Sequence, residues 1–328
     1  MRRLLGPAAL LAGLSACSPA YVYKAWRGQA RILSSRRPID KVVADPAAPA
    51  ALKDKLKLVE DIRRFAFDRM GLPPSKNYTQ YATVPGEAVS WVATASRKTR
   101  FEAKTWWFPF IGRVPYKGYF DRLDARKEGA ALEAEGWDAY VGGVSAYSTL
   151  RWFRDPVLST MVDLPPGELA ELLLHELTHT AIFFKGQADF NEALATFFGR
   201  EGAREFLAGR FGADSPELAD YRKGLAEDEE RSLLMEELYA ELDTLYSGPA
   251  SDAEKLERRE EVFARWKPRL GLRILNNAVV LAHRRYHFEL GDFAAAFERS
   301  GRDWRKMLMM MNGLDPRQPR KALQAMGG

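Results

Sequence analysis

Cysteine is almost missing from this chain: Cys17 is the only one, so no internal disulfide can form even in an oxidising compartment. Histidine is also scarce. With four histidines in 328 residues, any metal-ligand spacing among them stands out from chance. Long apolar runs are lacking, because Leu4 to Leu14 is too short to span a bilayer comfortably and no later run is longer. No basic stripe interleaved with aromatics occurs, which leaves nucleic acid out as a partner. No internal repeat is evident. The formal charge of +5 is mild, and two of its positives, Arg2 and Arg3, sit at the extreme N-terminus. Hydrophobic residues make up 46%, ample for the core of one large domain or two small ones.

The N-terminus reads as an address. Met1-Arg2-Arg3 is positive, the short apolar run follows, and Leu14-Ser15-Ala16-Cys17 then resembles a bacterial lipoprotein signal cleaved just before the cysteine. Residues 1–16 are expected to leave, and Cys17 to carry the lipid that anchors the chain to a membrane. An ordinary secretory signal with an incidental thiol is the alternative. Ser18, where an aspartate would stand for retention, resembles the outer-membrane sorting rule of Gram-negative bacteria. The expected place is the cell envelope, on the periplasmic face of the outer membrane.

What the chain does contain is His175-Glu176-Leu177-Thr178-His179. On an α-helix, residues four apart lie one above the other, so both imidazoles can reach one ion. Glu176 stands where a carboxylate can polarise a water at that ion. The pattern is that of zinc metallopeptidases, with Zn²⁺ as the expected cofactor. Pro165-Pro166 suits a helix start, Glu168 complements the first turn, and Leu169, Leu172, Leu173, Leu177 and Ile182 give a wide apolar face. Lys185-Gly186 reads as the stop.

A catalytic zinc usually takes three protein ligands. Asp189 and Glu192 are the candidates for the third. Asp189-x-x-Glu192 also has the form of a capping box. Asn191-Glu192-Ala193-Leu194 resembles the downstream Asn-Glu segment from which thermolysin-type zinc peptidases, the gluzincins, take that ligand. Metzincins would need Gly and His where Ile182 and Lys185 stand, which excludes that class. Thr196 departs from the gluzincin pattern, where an acidic residue one turn after the ligand orients a histidine. That support would have to come from Asp189, Asn191 or a main-chain carbonyl. His283 and His287 are also four apart, but Arg284 and Arg285 between them disfavour a cation, so they read as surface or interface histidines. Gluzincin sites often use a downstream Tyr or His against the oxyanion. Tyr286, His283 and His287 are candidates, each also explicable as packing.

The periodicities predict an α+β chain, predominantly α-helical, with a small antiparallel sheet beside the zinc helix in a gluzincin-like catalytic core. Helices are expected from Tyr21 to Arg31, from Leu52 to Met70 and across most of 201–328, where Leu218 to Tyr246 and Glu254 to Trp266 form a hairpin. Short strands are expected in 78–120 and from Trp137 to Val144. The organisation is then 1–16 signal peptide, 17–50 membrane-proximal tether, 51–200 sheet plus zinc-helix catalytic region, and 201–328 helical region closing the cleft.

Several blocks recur in order: Gly28-Gln29-Ala30, Arg36-Arg37-Pro38-Ile39, Thr105-Trp106-Trp107-Phe108-Pro109, Tyr116-Lys117-Gly118-Tyr119-Phe120, Ala146-Tyr147-Ser148-Thr149-Leu150, the zinc motif, and Phe190-Asn191-Glu192. Together they resemble a bacterial family labelled "putative aminopeptidase", many of whose members are lipoproteins. The resemblance implies a peptide or protein substrate. It also implies a pair of cysteines at the positions of Trp107 and Arg113, which this chain lacks. In gluzincins an edge strand beside the zinc helix binds the substrate backbone; Ala146 to Thr149 suits that role, and Tyr147 either points into the site or packs. An aminopeptidase also needs an acidic group for the substrate's α-amine. The Gly-x-Met-Glu-Asn block that does this in one large gluzincin family is absent, and Glu102 and Asp138 are the substitutes. The other readings are a zinc endopeptidase of envelope proteins and a non-enzymatic zinc-binding envelope lipoprotein.

Overall fold

The computed structural model describes residues 18–108, 112–144, 154–287 and 290–326, with the backbone alone at 286 and 287. Helix α1 (Pro19–Ser34) is followed by β1 (Arg37–Pro38), α2 (Ile39–Ala44) and α3 (Ala50–Asp68). Next come β2 (Gln80–Ala82), β3 (Ser90–Ser96), β4 (Trp106–Phe108), β5 (Gly112–Val114), β6 (Lys117–Tyr119), α4 (Arg122–Ala134), β7 (Asp138–Val144) and β8 (Val157–Leu158). The rest is helical: α5 (Ser159–Val162), α6 (Pro166–Ala181), α7 (Ala188–Phe211), α8 (Pro216–Ser247), α9 (Asp252–Leu270), α10 (Asn277–His287), α11 (Leu290–Arg299), α12 (Trp304–Asn312) and α13 (Pro319–Ala325). The fold is α+β and predominantly helical, and α8 with α9 forms the expected hairpin. Among the described residues, no helix is long and apolar enough to cross a membrane.

Three small sheets flank the helices. One has order β1-β2-β8, with β1 antiparallel and β8 parallel to β2. The second, β6-β3-β7, is antiparallel throughout and leaves β7 at its edge. The third is the β4–β5 hairpin, in which Trp107 faces Arg113 across the strands. The two positions at which the resemblance implies cysteines are thus cross-strand neighbours.

Helices α6 and α7 lie at the centre of the main core, which draws side chains from Ile32 to Leu323. Their close approach follows from small residues on α7. A Cβ at Gly199 would come within 2.8 Å of the Glu171 carbonyl oxygen and 3.3 Å of the His175 Cβ. At Gly202 it would come within 2.8 Å of Leu174 Cδ1. Ala195, on the same face, is fully buried. No larger side chain fits between the helices without a shift, and overpacking such a seam costs about 1–3 kcal/mol.

The zinc-motif helix ends sooner than its sequence suggests. It stops at Ala181, and Ile182 is already extended. The cause is Asn191, whose buried amide accepts from the Phe184 N–H at 2.9 Å and donates to the Phe184 carbonyl at 2.8 Å. That pair of bonds satisfies the backbone of the connection in place of helix bonds. Gly186 makes the turn with φ +76°. The capping-box reading of Asp189 and Glu192 fails, because Gln187 holds the N-cap position of α7 and no side chain caps there.

A second core lies between α8, α9 and α10, with Leu238, Leu242, Phe263, Trp266 and Val280 at its centre. It is tied to the sheet by a buried ion pair. Arg259 Nη2 meets Asp138 Oδ2 at 2.6 Å, the same oxygen accepts from the Asn277 N–H at 3.0 Å, and Arg259 Nη1 donates to the Lys98 carbonyl. A buried charge pair needs such extra hydrogen bonds to offset its desolvation. Its structural effect is to seat α10 against β3 and β7.

Candidate metal centre

On α6, His175 and His179 stand one turn apart with their Nε2 atoms 3.1 Å from each other. Helix α7 brings Glu192 to them: its Oε2 lies 3.3 Å from His175 Nε2 and 3.6 Å from His179 Nε2. Three donors bonded to one zinc at 2.0–2.1 Å in a tetrahedron would stand about 3.3 Å apart. The separations here bracket that value, so the cluster could hold a metal ion of this kind. Among the described residues, no other group of three His, Cys, Asp or Glu side chains converges in this way.

Glu176 is buried beside the cluster, and its Oε2 has no hydrogen-bond partner within the protein. A buried carboxylate oxygen left unpaired is costly, which marks it as a group whose partner is not a protein atom. Burial raises the Glu176 pKa; His175 and His179 work against that, and Glu192 adds to it. Burial also acts to raise Glu192, but the charge of His179 and hydrogen bonds from both histidines outweigh it and hold the carboxyl well below its usual range. His179 moves the other way. Burial would lower it, and the charge of Glu192, their hydrogen bond and Glu176 raise it. The site thus sets two carboxyl groups around two imidazoles, donor types suited to a metal cation.

The family described as "Putative aminopeptidase" matches residues 20–326. The chain belongs to this family. No curated protein and no solved structure matches. The family match takes in both helices of the metal cluster and the β4–β6 segment, whose Tyr116 the motif reading overlooked.

Tyr116 lies between β5 and β6, partly buried, under the guanidinium of Arg285, which sits 5.8 Å from its ring centre. Burial raises its hydroxyl pKa first, the charge of Glu192 second; Arg285 opposes, and Glu176 and Asp189 add smaller increments. The hydroxyl therefore stays protonated, and the charges of Glu192 and Glu176 bear on it. Sequence spacing could not find it, because β5 and β6 are far from the motif along the chain. Its membership of the Tyr116 to Phe120 block was the only signal.

The other candidates divide. Asp189 is largely solvent-exposed and accepts from Arg285 Nε at 3.0 Å, and Asn191 is occupied by Phe184. Neither orients a histidine. Asp138 is held by Arg259, and Glu102 is at the surface with Arg100 at 2.6 Å, so neither joins the cluster. His283 is half-buried on α10, with both ring nitrogens shielded from solvent, which corrects the surface reading. Tyr286 is on the same helix, and its side chain, like that of His287, is outside the described residues. Tyr147 and Cys17 also lie outside the described residues.

Proposed function

We propose that this aminopeptidase-family protein is a zinc-dependent peptidase of the bacterial envelope, anchored through a lipid on Cys17. The observation that carries the reading is the spacing of His175, His179 and Glu192, with the unpartnered carboxylate oxygen of Glu176 beside them. These three side chains would hold the metal. When bound, zinc acidifies water and polarises a carbonyl oxygen. Glu176 takes a proton from the attacking water as its oxygen adds to the scissile carbonyl carbon. The same carboxyl then hands that proton to the departing amine as the carbon–nitrogen bond breaks. A buried general base serves this chemistry, whereas a purely structural zinc site has no use for one.

Tyr116 is positioned to donate to the negative oxygen that develops on the carbonyl. Tyr116→Phe is expected to lower kcat by about a hundredfold, the usual cost of one such donor, with KM and metal content little changed. Steady-state kinetics beside elemental analysis would separate this from loss of the metal.

An endopeptidase acting on envelope proteins is the second reading, favoured because Glu102 and Asp138 are both engaged away from the cluster. The deciding experiment is hydrolysis of a peptide library with free and with acetylated N-termini, before and after chelation. Activity lost on chelation and restored by zinc supports the proposal, and cleavage of acetylated peptides assigns it to the endopeptidase form. Hydrolysis that survives full removal of metal would overturn it, and so would a zinc-loaded protein that cleaves nothing.

A further inference from the structure

Helix α1 has two faces that do different things. One is fixed to the body. A Cβ at Gly28 would overlap the Phe120 ring, the Tyr21 hydroxyl donates to the Gly118 carbonyl at 3.0 Å, and Ile32 is buried in the main core. The other face carries Val22, Tyr23 and Trp26, exposed by 50%, 59% and 65%. Their spacing of three and four puts them on one stripe. The rings of Tyr23 and Trp26 stack with centres 6.4 Å apart.

One further exposed apolar side chain belongs to an element that α1 touches. Leu123 precedes Asp124, which pairs with Lys24 at 2.8 Å. The remaining large exposed apolar residues fall singly on other elements, as on any soluble surface. The charge of α1 is one-sided as well: it carries Lys24, Arg27 and Arg31 and no acidic residue. Tyr and Trp with a basic flank are the composition of a helix lying at a membrane–water interface. The helix also starts at the end of the chain where the apolar run Leu4 to Leu14 and Cys17 are joined, Ser18 being its N-cap.

We propose that the exposed stripe of α1, with Leu123, is a docking face for a phospholipid surface bearing anionic headgroups. The aromatic side chains enter the headgroup boundary and Arg27 and Arg31 meet the phosphates. Because α1 is packed rigidly against Phe120 and Tyr119, the contact fixes how the whole body, metal centre included, is turned toward the bilayer. The inference rests on the envelope reading only for the presence of a membrane.

The test uses the chain from Ser18 onward, which retains every residue of the three cores and carries no lipid. Its partition onto phosphatidylcholine vesicles, with and without phosphatidylglycerol, is measured by co-sedimentation. The wild type is expected to bind the anionic vesicles, and Tyr23→Ser with Trp26→Ser to reduce partition by at least about tenfold. Arg27→Gln with Arg31→Gln should abolish the preference for anionic lipid. No binding by the wild type, or equal binding by wild type and aromatic variants, would sink the proposal. So would a wild-type dimer in the absence of lipid that the aromatic variants convert to monomer, which would assign the face to a second copy. None of these readings depends on zinc or on peptide cleavage, so failure of the peptidase proposal leaves them intact.

Discussion

Replacing Glu176 with glutamine should leave zinc bound at wild-type stoichiometry and reduce peptide hydrolysis by about a thousandfold or more. The substitution keeps the size and shape of a side chain that is 7% exposed, so the packing of α6 against α7 is preserved. It removes only the ability to take a proton from water and return it to the amine, and general acid–base contributions run at roughly 10²–10⁴-fold. The three metal donors are other residues, so elemental mass spectrometry should find the same zinc in both proteins. Full activity in the glutamine variant would remove Glu176 from the mechanism. Loss of zinc together with activity would instead give Glu176 a part in holding the ion.

Glu192→Ala should have the largest effect on the metal itself. Glu192 Oε2 is the one donor that comes from α7, within 3.6 Å of both imidazole nitrogens, while the two histidines share α6. Removing it leaves a two-ligand site. Affinity should fall by more than the roughly 10–100-fold that follows loss of an outer-shell partner. Titration with a competing chromophoric chelator would measure the change. Zinc retained at full affinity would place the third ligand elsewhere, and Asp189 would then have to leave Arg285 to supply it.

The motif on α6 was legible because its chemistry is local: His175, Glu176 and His179 are placed by the pitch of one helix. Glu192 could be singled out, but its two roles could not be separated by sequence, since a capping box and a ligand need the same residue at the same spacing. The structure separates them through Asn191, which takes over the backbone at Phe184 and lets α7 start at Ala188 without a side-chain cap. Tyr116 was not legible, because it lies between β5 and β6, far from the motif in the chain, and meets Arg285 of α10 only in the fold. Asp138 shows the reverse error. As a carboxylate on a strand it looked available for substrate, and only the fold reveals Arg259 against it. The long helices α3, α6, α8 and α9 and most strands were legible from periodicity, but α4 (Arg122–Ala134) was not expected, and the parallel pairing of β2 with β8 joins segments far apart in the chain.

The glycine seam between α6 and α7 has a thermodynamic consequence. Both helices sit in the main core, so an ion shared by His175, His179 and Glu192 is a cross-link through the middle of the fold. Separating the helices and releasing the ion then become one event, and metal affinity counts directly toward resistance to unfolding. Above the dissociation constant, each tenfold rise in free zinc adds about 1.4 kcal/mol to the stability of the folded state. For a chain whose single cysteine rules out an internal disulfide, the metal would serve as the staple that disulfide-bonded proteins obtain from oxidation.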